Sequence, residues 1–337
     1  MSQPGPMGWG VGTETADELH STERACRDAI ADIAPSYLMR HSIKEPVNEV
    51  LLQTVKEQVQ GAGWDDGMIL PFLFAEATKL QPQWLKQLIG SCVASGDMRT
   101  TAYRMVAEIF VFNDPEELPG FEFSGRNSLA FYAPFSYRAG RKLAGINGNS
   151  DGSLCLPHIR GKMQFGHLPC DAQGLNADAF PEPQSQSDYK RWGANDTLLN
   201  QFADQAAPFK LLESEPVKTV ADIHTLICEH LKPANICSMW GFRSGGKRLG
   251  KDANGATIVQ WSRSGQWAHN MSVVGHVKKD GTEYVIIENS WGNFHDGSTC
   301  FAVEASEMDR WLRQAECQSV GEIDLADNAP AVDWGTV

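Results

Sequence analysis

Apolar side chains recur at helical spacing in four stretches of the chain. One is residues 15–34, where Pro35 ends the pattern, and the others are residues 46–60, 92–112 and 220–230. Because an α-helix repeats about every 3.6 residues, this spacing places the apolar side chains on one face. The pattern therefore predicts helices in these four stretches and connecting loops in residues 61–90.

From residue 236 onward the pattern changes to short stretches rich in β-branched and aromatic residues, with glycine-containing turns between them. Such stretches are typical of an antiparallel sheet. The strands are predicted at residues 236–242, 257–261, 269–274, 283–287 and 299–303. Helices first and strands afterwards indicate an α+β fold with a helical half and a β half.

Composition describes a globular protein. The 337 residues are 42% hydrophobic and 21% charged, which is enough for a core in one large domain or two smaller ones. A net charge of −13 argues against nucleic-acid binding, which needs clustered basic residues, and against binding to an anionic membrane surface. No apolar stretch approaches the roughly 20 residues of a membrane helix.

The expected location is the cytoplasm or a virion. The first residues lack the basic and apolar regions of a secretory signal. The eight cysteines are widely spaced, unlike those of a disulfide scaffold. A reducing compartment is the simpler interpretation, and it would keep a reactive thiol usable.

Three residues could together perform acyl transfer through a thiol. Cys92 follows Gly90 and Ser91 at the predicted start of a helix, His269 begins a predicted strand, and Asn289 follows the next one. A cysteine nucleophile needs an imidazole to take its proton and an amide oxygen to orient that ring. A helix N-terminus favours the thiolate, and its N–H groups can hold the oxyanion. These three are the predicted catalytic residues, and their chemistry needs no metal or cofactor.

These segments resemble the papain-like cysteine peptidases, and the bacterial and phage branches more than the secreted cathepsins. The matching segments are residues 90–94, 269–275 and 289–292, with a weaker match over residues 136–171. The resemblance covers roughly residues 65–305. It implies a papain-like two-lobed fold, with the cysteine on a helical lobe, the histidine and asparagine on a β lobe, and a polypeptide substrate in the cleft between them.

The resemblance also implies roles for two further residues. In this family an oxyanion-hole glutamine lies six residues before the nucleophile, where this chain has Lys86 followed by Gln87. Either a one-residue deletion lets Gln87 take this role, or the oxyanion hole is impaired, which typically costs about 100- to 1000-fold in rate. Trp291 would shield the hydrogen bond between Asn289 and His269 from water, although packing alone would also explain a tryptophan at this position.

Four segments follow from these predictions. Residues 1–60 would be an N-terminal helical extension, residues 61–200 the helical lobe, residues 201–305 the β lobe and residues 306–337 an acidic C-terminal tail. The extension could be a propeptide, but it lacks the propeptide pattern of the cathepsins. An integral segment that packs on the domain fits better, and a protein partner could bind through it or through the acidic tail.

A zinc site is an alternative use of four other residues. Cys155, His158, His167 and Cys170 form two mirrored pairs of zinc-competent ligands. A helix of about ten residues between the pairs would span roughly 15 Å, which is too far for one tetrahedral site unless the chain doubles back.

Two other functional interpretations remain beside the peptidase. The papain-like fold could be a structural or binding component of a larger assembly, for example a virion, with weak, single-use or no peptidase activity. A transglutaminase-like or amidase function shares the chemistry, but those families normally orient the histidine with an aspartate.

Overall fold

The structure is a computed structural model, and it describes residues 46–81, 89–112, 131–148, 150–170, 172–175, 186–291 and 297–323. The predicted helix at residues 15–34 and the predicted oxyanion residue Gln87 lie outside these residues. The described part has a mixed α+β fold, as the sequence predicted, with most helices preceding the sheet along the chain.

The predicted helices at residues 46–60, 92–112 and 220–230 are confirmed. The helices that begin at Cys92 and Val220 continue as the wider π-helical turns Glu108–Phe112 and Thr225–Glu229. Among the helices of the described residues, none combines the length and the apolar character that crossing a bilayer requires. The helices are α1 Glu49–Gly61, α2 Leu70–Thr78, α3 Cys92–Ala107, α4 Ala133–Leu143, α5 Cys155–Phe165, α6 Gln186–Ala194, α7 Thr197–Gln201, α8 Ala203–Ala206, α9 Val220–His224 and α10 Ala305–Leu312.

Within the described residues, six strands form a single sheet. They are β1 Asp66–Ile69, β2 Ala234–Lys251, β3 Thr257–Lys279, β4 Thr282–Glu288, β5 Cys300–Glu304 and β6 Glu316–Ser319. The strand order is β4-β5-β3-β2-β6, and β1 and β4 also pair with β3. The pairing is antiparallel except between β3 and β5. The 23 residues of β3 merge the strands predicted at 257–261 and 269–274, and they carry His269.

Residues 61–90 differ from the prediction, because they contain β1 and α2 instead of loops alone. The seven residues from Met68 to Phe74 are all apolar and all buried. A short apolar run fits a strand or a helix equally well, so its pattern alone predicts neither. Here the run turns from strand to helix at Leu70, with Pro71 in the first helical turn, where its missing N–H is not needed.

The first part of the expected acidic tail belongs to the sheet and its covering helix. In α10, Trp311 is 1% exposed. Strand β6 is buried throughout and pairs with β2 along Glu316–Ser319. The acidic residues that suggested a solvated tail lie mostly after residue 323, outside the described residues.

Helix α3 lies at the centre of the fold, since every residue from Cys92 to Ala107 is buried. It contacts β2 and β3 of the sheet and α2, α4 and α5 of the helical part. Its charged side chains have partners: Arg104 pairs with Glu108, and Asp97 pairs with Lys162 of α5. A buried charge is costly without such pairing. The helix is therefore fixed against the sheet, and so is the position of its first residue.

Candidate active site

Cys92 stands where the chain enters α3. Ser91 occupies the N-cap position, and its side chain makes no capping hydrogen bond, so it does not occupy the N–H groups of the first turn. The N-terminus of an α-helix has N–H groups without helical partners and a partial positive charge. Both favour negative charge on a thiol or on an oxyanion beside it. The residue itself is 0% exposed.

Asn270 of β3 joins the sheet to this helix N-terminus. Its Nδ2 donates to the backbone oxygen of Cys92 at 3.2 Å. Two residues along the strand, Ser272 Oγ donates to the backbone oxygen of Gly96 at 3.2 Å. A side chain at Gly96 would begin 2.3 Å from Asn270 Nδ2, so the helix approaches the strand this closely only because glycine lacks a Cβ.

His269, the residue before Asn270, is held by a second pair of contacts. Its Nε2 lies 2.8 Å from Asn289 Oδ1. That oxygen also accepts from the backbone N–H of Ser290 at 2.7 Å, and the backbone N–H of Asn289 donates to Thr299 at 3.0 Å. The Trp291 ring stacks on the imidazole, with centroids 4.6 Å apart and planes 27° apart. The ring plane is therefore fixed from two sides, and Nδ1 is the ring nitrogen not bonded to the amide.

A buried carboxylate connects α3 to the strand end that carries Asn289. Glu288 lies 3.4 Å from Nε of Arg99 and accepts from the hydroxyl of Tyr103 at 2.8 Å. Both partners belong to the same helix as Cys92. Burial raises the pKa of Glu288, while the charge of Arg99 acts in the opposite direction. This contact spans the two parts of the fold and sets the distance between their catalytic candidates.

Burial determines the protonation of the thiol and the imidazole. Loss of solvent raises the pKa of Cys92 to about 11, although hydrogen bonds from the backbone N–H groups of Asn270, Val93 and Cys92 act against this. Burial likewise lowers the pKa of His269 to about 4, against the hydrogen bond to Asn289, which raises it. Both groups are therefore neutral near pH 7 in this conformation.

The structure brings His269, Asn289 and Trp291 into direct contact and places the residue after His269 on Cys92. The predicted oxyanion residue Gln87 lies outside the described residues. Sequence reasoning missed Asn270 and Glu288 as parts of this arrangement. Their only signal in the sequence is adjacency, since each is next to a predicted catalytic residue.

The four residues of the alternative zinc site have separate partners. Cys155 forms a disulfide with Cys237, and both pack in one small apolar cluster with Cys92. His158 Nε2 lies 2.8 Å from Ser153 Oγ. His167 contacts two hydroxyls, of Thr101 at 3.0 Å and Ser136 at 3.2 Å, and Cys170 packs in a different apolar cluster. Among the described residues, these four do not come together as a ligand set.

Comparison with known proteins gives the fold. No protein-family model matches the sequence, and no curated protein matches it significantly. The structure matches xylellain, a cysteine protease from Xylella fastidiosa, with a TM-score of 0.50 and 16% identity over 95% of this chain and 98% of that chain. This chain therefore has the fold of the papain-like cysteine proteases, which confirms the predicted fold. At this sequence identity the likeness concerns the fold alone.

Two further solved structures match with lower scores. Procathepsin B S9 from Trypanosoma congolense has a TM-score of 0.47 and 9% identity over 79% of this chain and 80% of that chain. Procathepsin L2 from the larval midgut of Tenebrio molitor has a TM-score of 0.44 and 12% identity over 75% of this chain and 67% of that chain.

Proposed function

We propose that this protein is a cysteine-type peptidase that cleaves peptide bonds with Cys92, His269 and Asn289. The observation that carries the proposal is the 2.8 Å contact between His269 Nε2 and Asn289 Oδ1. It supports a tautomer in which Nε2–H donates to the amide and Nδ1 is left to accept the thiol proton. The hydrogen bond from Asn270 Nδ2 to the backbone oxygen of Cys92 joins the residue next to the histidine to the residue that carries the nucleophile.

The reaction follows from these positions. His269 Nδ1 takes the proton of the Cys92 thiol, and the thiolate attacks the carbonyl carbon of the scissile peptide bond. The carbon–nitrogen bond then breaks as the imidazolium returns its proton to the leaving amine, which produces a thioester. His269 next takes a proton from water, the hydroxide attacks the thioester, and the thiol leaves with that proton. Asn289 keeps the ring plane through both proton transfers.

The oxyanion would be held at the N-terminus of α3. The backbone N–H groups of Val93 and Cys92 at the start of this helix act to lower the pKa of the thiol, so they favour negative charge there. Gln87 remains the proposed second donor. In typical enzymes each oxyanion-hole donor contributes about 100- to 1000-fold to the rate. If Gln87 is such a donor, Gln87→Ala should lower the rate of peptide cleavage by this factor; an unchanged rate would mean that the oxyanion hole lacks this donor.

Catalysis requires this conformation to open. A neutral thiol with a pKa of about 11 is a poor nucleophile, and a buried one cannot meet a peptide. Opening would hydrate both Cys92 and His269, which removes the main cause of both pKa shifts and favours the thiolate–imidazolium pair. We therefore expect an enzyme whose rate is limited by the fraction of molecules that are open.

The proposal includes a polypeptide substrate and a protein that is cytoplasmic or virion-associated, nearer to the bacterial and phage branches of the family. It also keeps the proposed division into an N-terminal extension, residues 1–60, and lobes of residues 61–200 and 201–305. The Cys155–Cys237 disulfide departs from the reducing compartment that the sequence predicted, because disulfides are rare in the cytoplasm. It does not involve Cys92, so the nucleophile remains a thiol.

One observation favours a second function. Cys92 and His269 are each 0% exposed, which is what a papain-like fold used only as a structural or binding component would tolerate. In such a protein, nothing would require the thiol to become reactive.

Labelling of the intact protein with an irreversible epoxide probe for cysteine peptidases, followed by peptide mapping, separates the two functions. For a peptidase we expect one adduct, on Cys92, whose rate falls at least about 100-fold in His269→Ala. Cys317→Ser, which removes a buried thiol of the main core, should label like the wild-type protein. Thermal unfolding of each variant establishes that it is folded.

A rate on Cys92 that is unchanged in both His269→Ala and Asn289→Ala would overturn the peptidase proposal. So would slow labelling spread over several cysteines. Either result would leave the structural or binding function as the better account of the fold.

A further inference from the structure

We propose that His224, Cys228 and His276 form a binding site for a divalent metal ion of the zinc class, away from the candidate active site. Their ligand atoms all lie within 4.8 Å of one another. Among the described residues, this is the group of three potential ligand residues that is close enough to share one metal ion. Two imidazoles and one thiolate are a donor set that zinc prefers. The proposal does not depend on peptidase activity.

The spacing of the two imidazoles fits a tetrahedral ion. The Nδ1 atoms of His224 and His276 face each other at 3.3 Å, with the rings nearly perpendicular at 79°. Zinc–nitrogen bonds of about 2.0–2.1 Å at the tetrahedral angle separate two nitrogen ligands by about 3.3–3.4 Å. The nitrogens are therefore already at the separation that one shared ion would impose.

The chain brings the third ligand to the same point. Cys228 follows His224 by one helical turn, since α9 continues into the π-helical turn Thr225–Glu229. Residues four apart share one face of a helix. That face lies on β3, where the Cys228 sulfur is 3.7 Å from the backbone oxygen of His276. The ion would thus bind the helical turn to the strand.

Each imidazole has a carboxylate near its other nitrogen, beyond hydrogen-bond distance but within reach of a side-chain rotation. Glu229 Oε1 lies 3.9 Å from His224 Nε2, and Glu283 Oε2 lies 3.9 Å from His276 Nε2. His276 Nε2 is buried and makes no hydrogen bond within the described residues. A carboxylate beside the distal nitrogen of a histidine is the usual outer contact of a metal-bound imidazole, where it orients the ring and strengthens it as a ligand.

An ion could reach this site from solvent. The His224 side chain is 47% exposed, whereas that of His276 is 3% exposed, so the site is open on the helical side and closed on the sheet side. Three protein ligands leave the fourth tetrahedral position to water or to a carboxylate. His276 is seven residues beyond His269 on the extended β3, a span of about 23 Å along the strand, so the two sites would be chemically independent.

The test uses the full chain, treated with a chelator and then titrated with cobalt(II) and zinc(II) chloride. We expect tight, equimolar binding, with a thiolate-to-cobalt charge-transfer band and the intense visible bands of tetrahedral cobalt. Zinc should displace the cobalt. Affinity should fall at least about 100-fold in His224→Ala and in Cys228→Ser, and about 10-fold in Glu229→Gln.

The matched control is His230→Ala, which removes a nearby histidine that is outside the cluster. It should bind both metals as the wild-type protein does. The His224 side chain is exposed, so His224→Ala should fold. A cooperative thermal unfolding transition, measured in the absence of metal, establishes that each variant is folded.

Two outcomes would overturn the proposal. One is weak cobalt binding without the thiolate band. The contact between His224 and His276 would then be only a hydrogen bond between two imidazoles, and not part of a metal site. The other is tight binding that survives both His224→Ala and Cys228→Ser but is lost in Cys92→Ser, which would assign the ion to the candidate active site.

Discussion

Replacing Gly96 by alanine would introduce a methyl group into the narrowest contact between α3 and the sheet. The new Cβ would lie 2.3 Å from Asn270 Nδ2 and 3.0 Å from Asn235 Oδ1. The amide of Asn270 cannot turn away without loss, since its Nδ2 donates to the backbone oxygen of Cys92 at 3.2 Å. The Cys237 sulfur lies 3.1 Å from the other end of that amide. Either the amide or the helix must therefore move.

The magnitude follows from three contributions. Overpacking a core by one methyl group costs about 1–3 kcal/mol. Losing the hydrogen bond from Asn270 costs about 0.5–1.5 kcal/mol more. Exchanging glycine for alanine inside a helix returns about 1 kcal/mol. We expect Gly96→Ala to lower the free energy of unfolding by about 0.5–3.5 kcal/mol.

The matched control is Gly61→Ala, at the end of α1. An added Cβ meets nothing within 4 Å there, so the same exchange should raise the free energy of unfolding by about 0.4–1 kcal/mol. Urea unfolding measures both variants. Labelling of Cys92 in the same samples reports whether helix and strand have separated, because the hydrogen bond from Asn270 joins the backbone of Cys92 to β3.

The reasoning would be refuted if Gly96→Ala were as stable as Gly61→Ala and labelled Cys92 at the wild-type rate. Such a result would mean that the amide of Asn270 has room to turn. A destabilised variant with unchanged labelling would separate packing from positioning, and it would remove Asn270 from the account of the site.

Three further predictions concern the thiol and the imidazole. Asn289→Ala should slow Cys92 labelling by about tenfold, since it removes one neutral hydrogen bond, whereas His269→Ala should cost at least about 100-fold; equal losses would argue against an orienting role for the amide. Cys92→Ala should abolish labelling and leave the midpoint of thermal unfolding nearly unchanged. Because burial lowers the pKa of His269 from 6.5 to about 4, the unfolded chain takes up a proton first, and stability should fall as the pH drops from 6.5 toward 4. His269 alone contributes about 2 kcal/mol of this loss at pH 5, so a urea-unfolding free energy that falls equally in His269→Ala would contradict the assignment.

Local signals explain why much of the candidate site could be predicted. Cys92 follows a glycine and a serine at the start of an amphipathic stretch, which marks a loop-to-helix junction. His269 lies on β3 and Asn289 directly follows β4, 20 residues later. The two strands are joined by a tight turn and pair antiparallel, so the pairing brings these two residues to the same end of the strands. Trp291 follows two residues later. The predicted helices and most predicted strands depend on the same short-range periodicity.

Other features depended on contacts that no local pattern carries. The run from Met68 to Phe74 was expected to be loop, and it is a strand and a helix because β3 offers an edge for it to pair with. Strand β6 has the composition of a tail and becomes an edge strand because β2 lies beside it. Glu288 has a role only because Arg99 and Tyr103 of α3 face it across the fold.

The sequence alone determined the chemical groups and the local elements that carry them, because helix and strand patterns depend on residues that are only a few positions apart. Tertiary structure decided the contact between Cys92 and Asn270, which are 178 residues apart, and between His224 and His276, which are 52 apart. It also decided that the thiol and the imidazole are buried and neutral, which no spacing could reveal. Burial and long-range contact are properties of the packed chain, since they depend on which distant surfaces exclude water from each other.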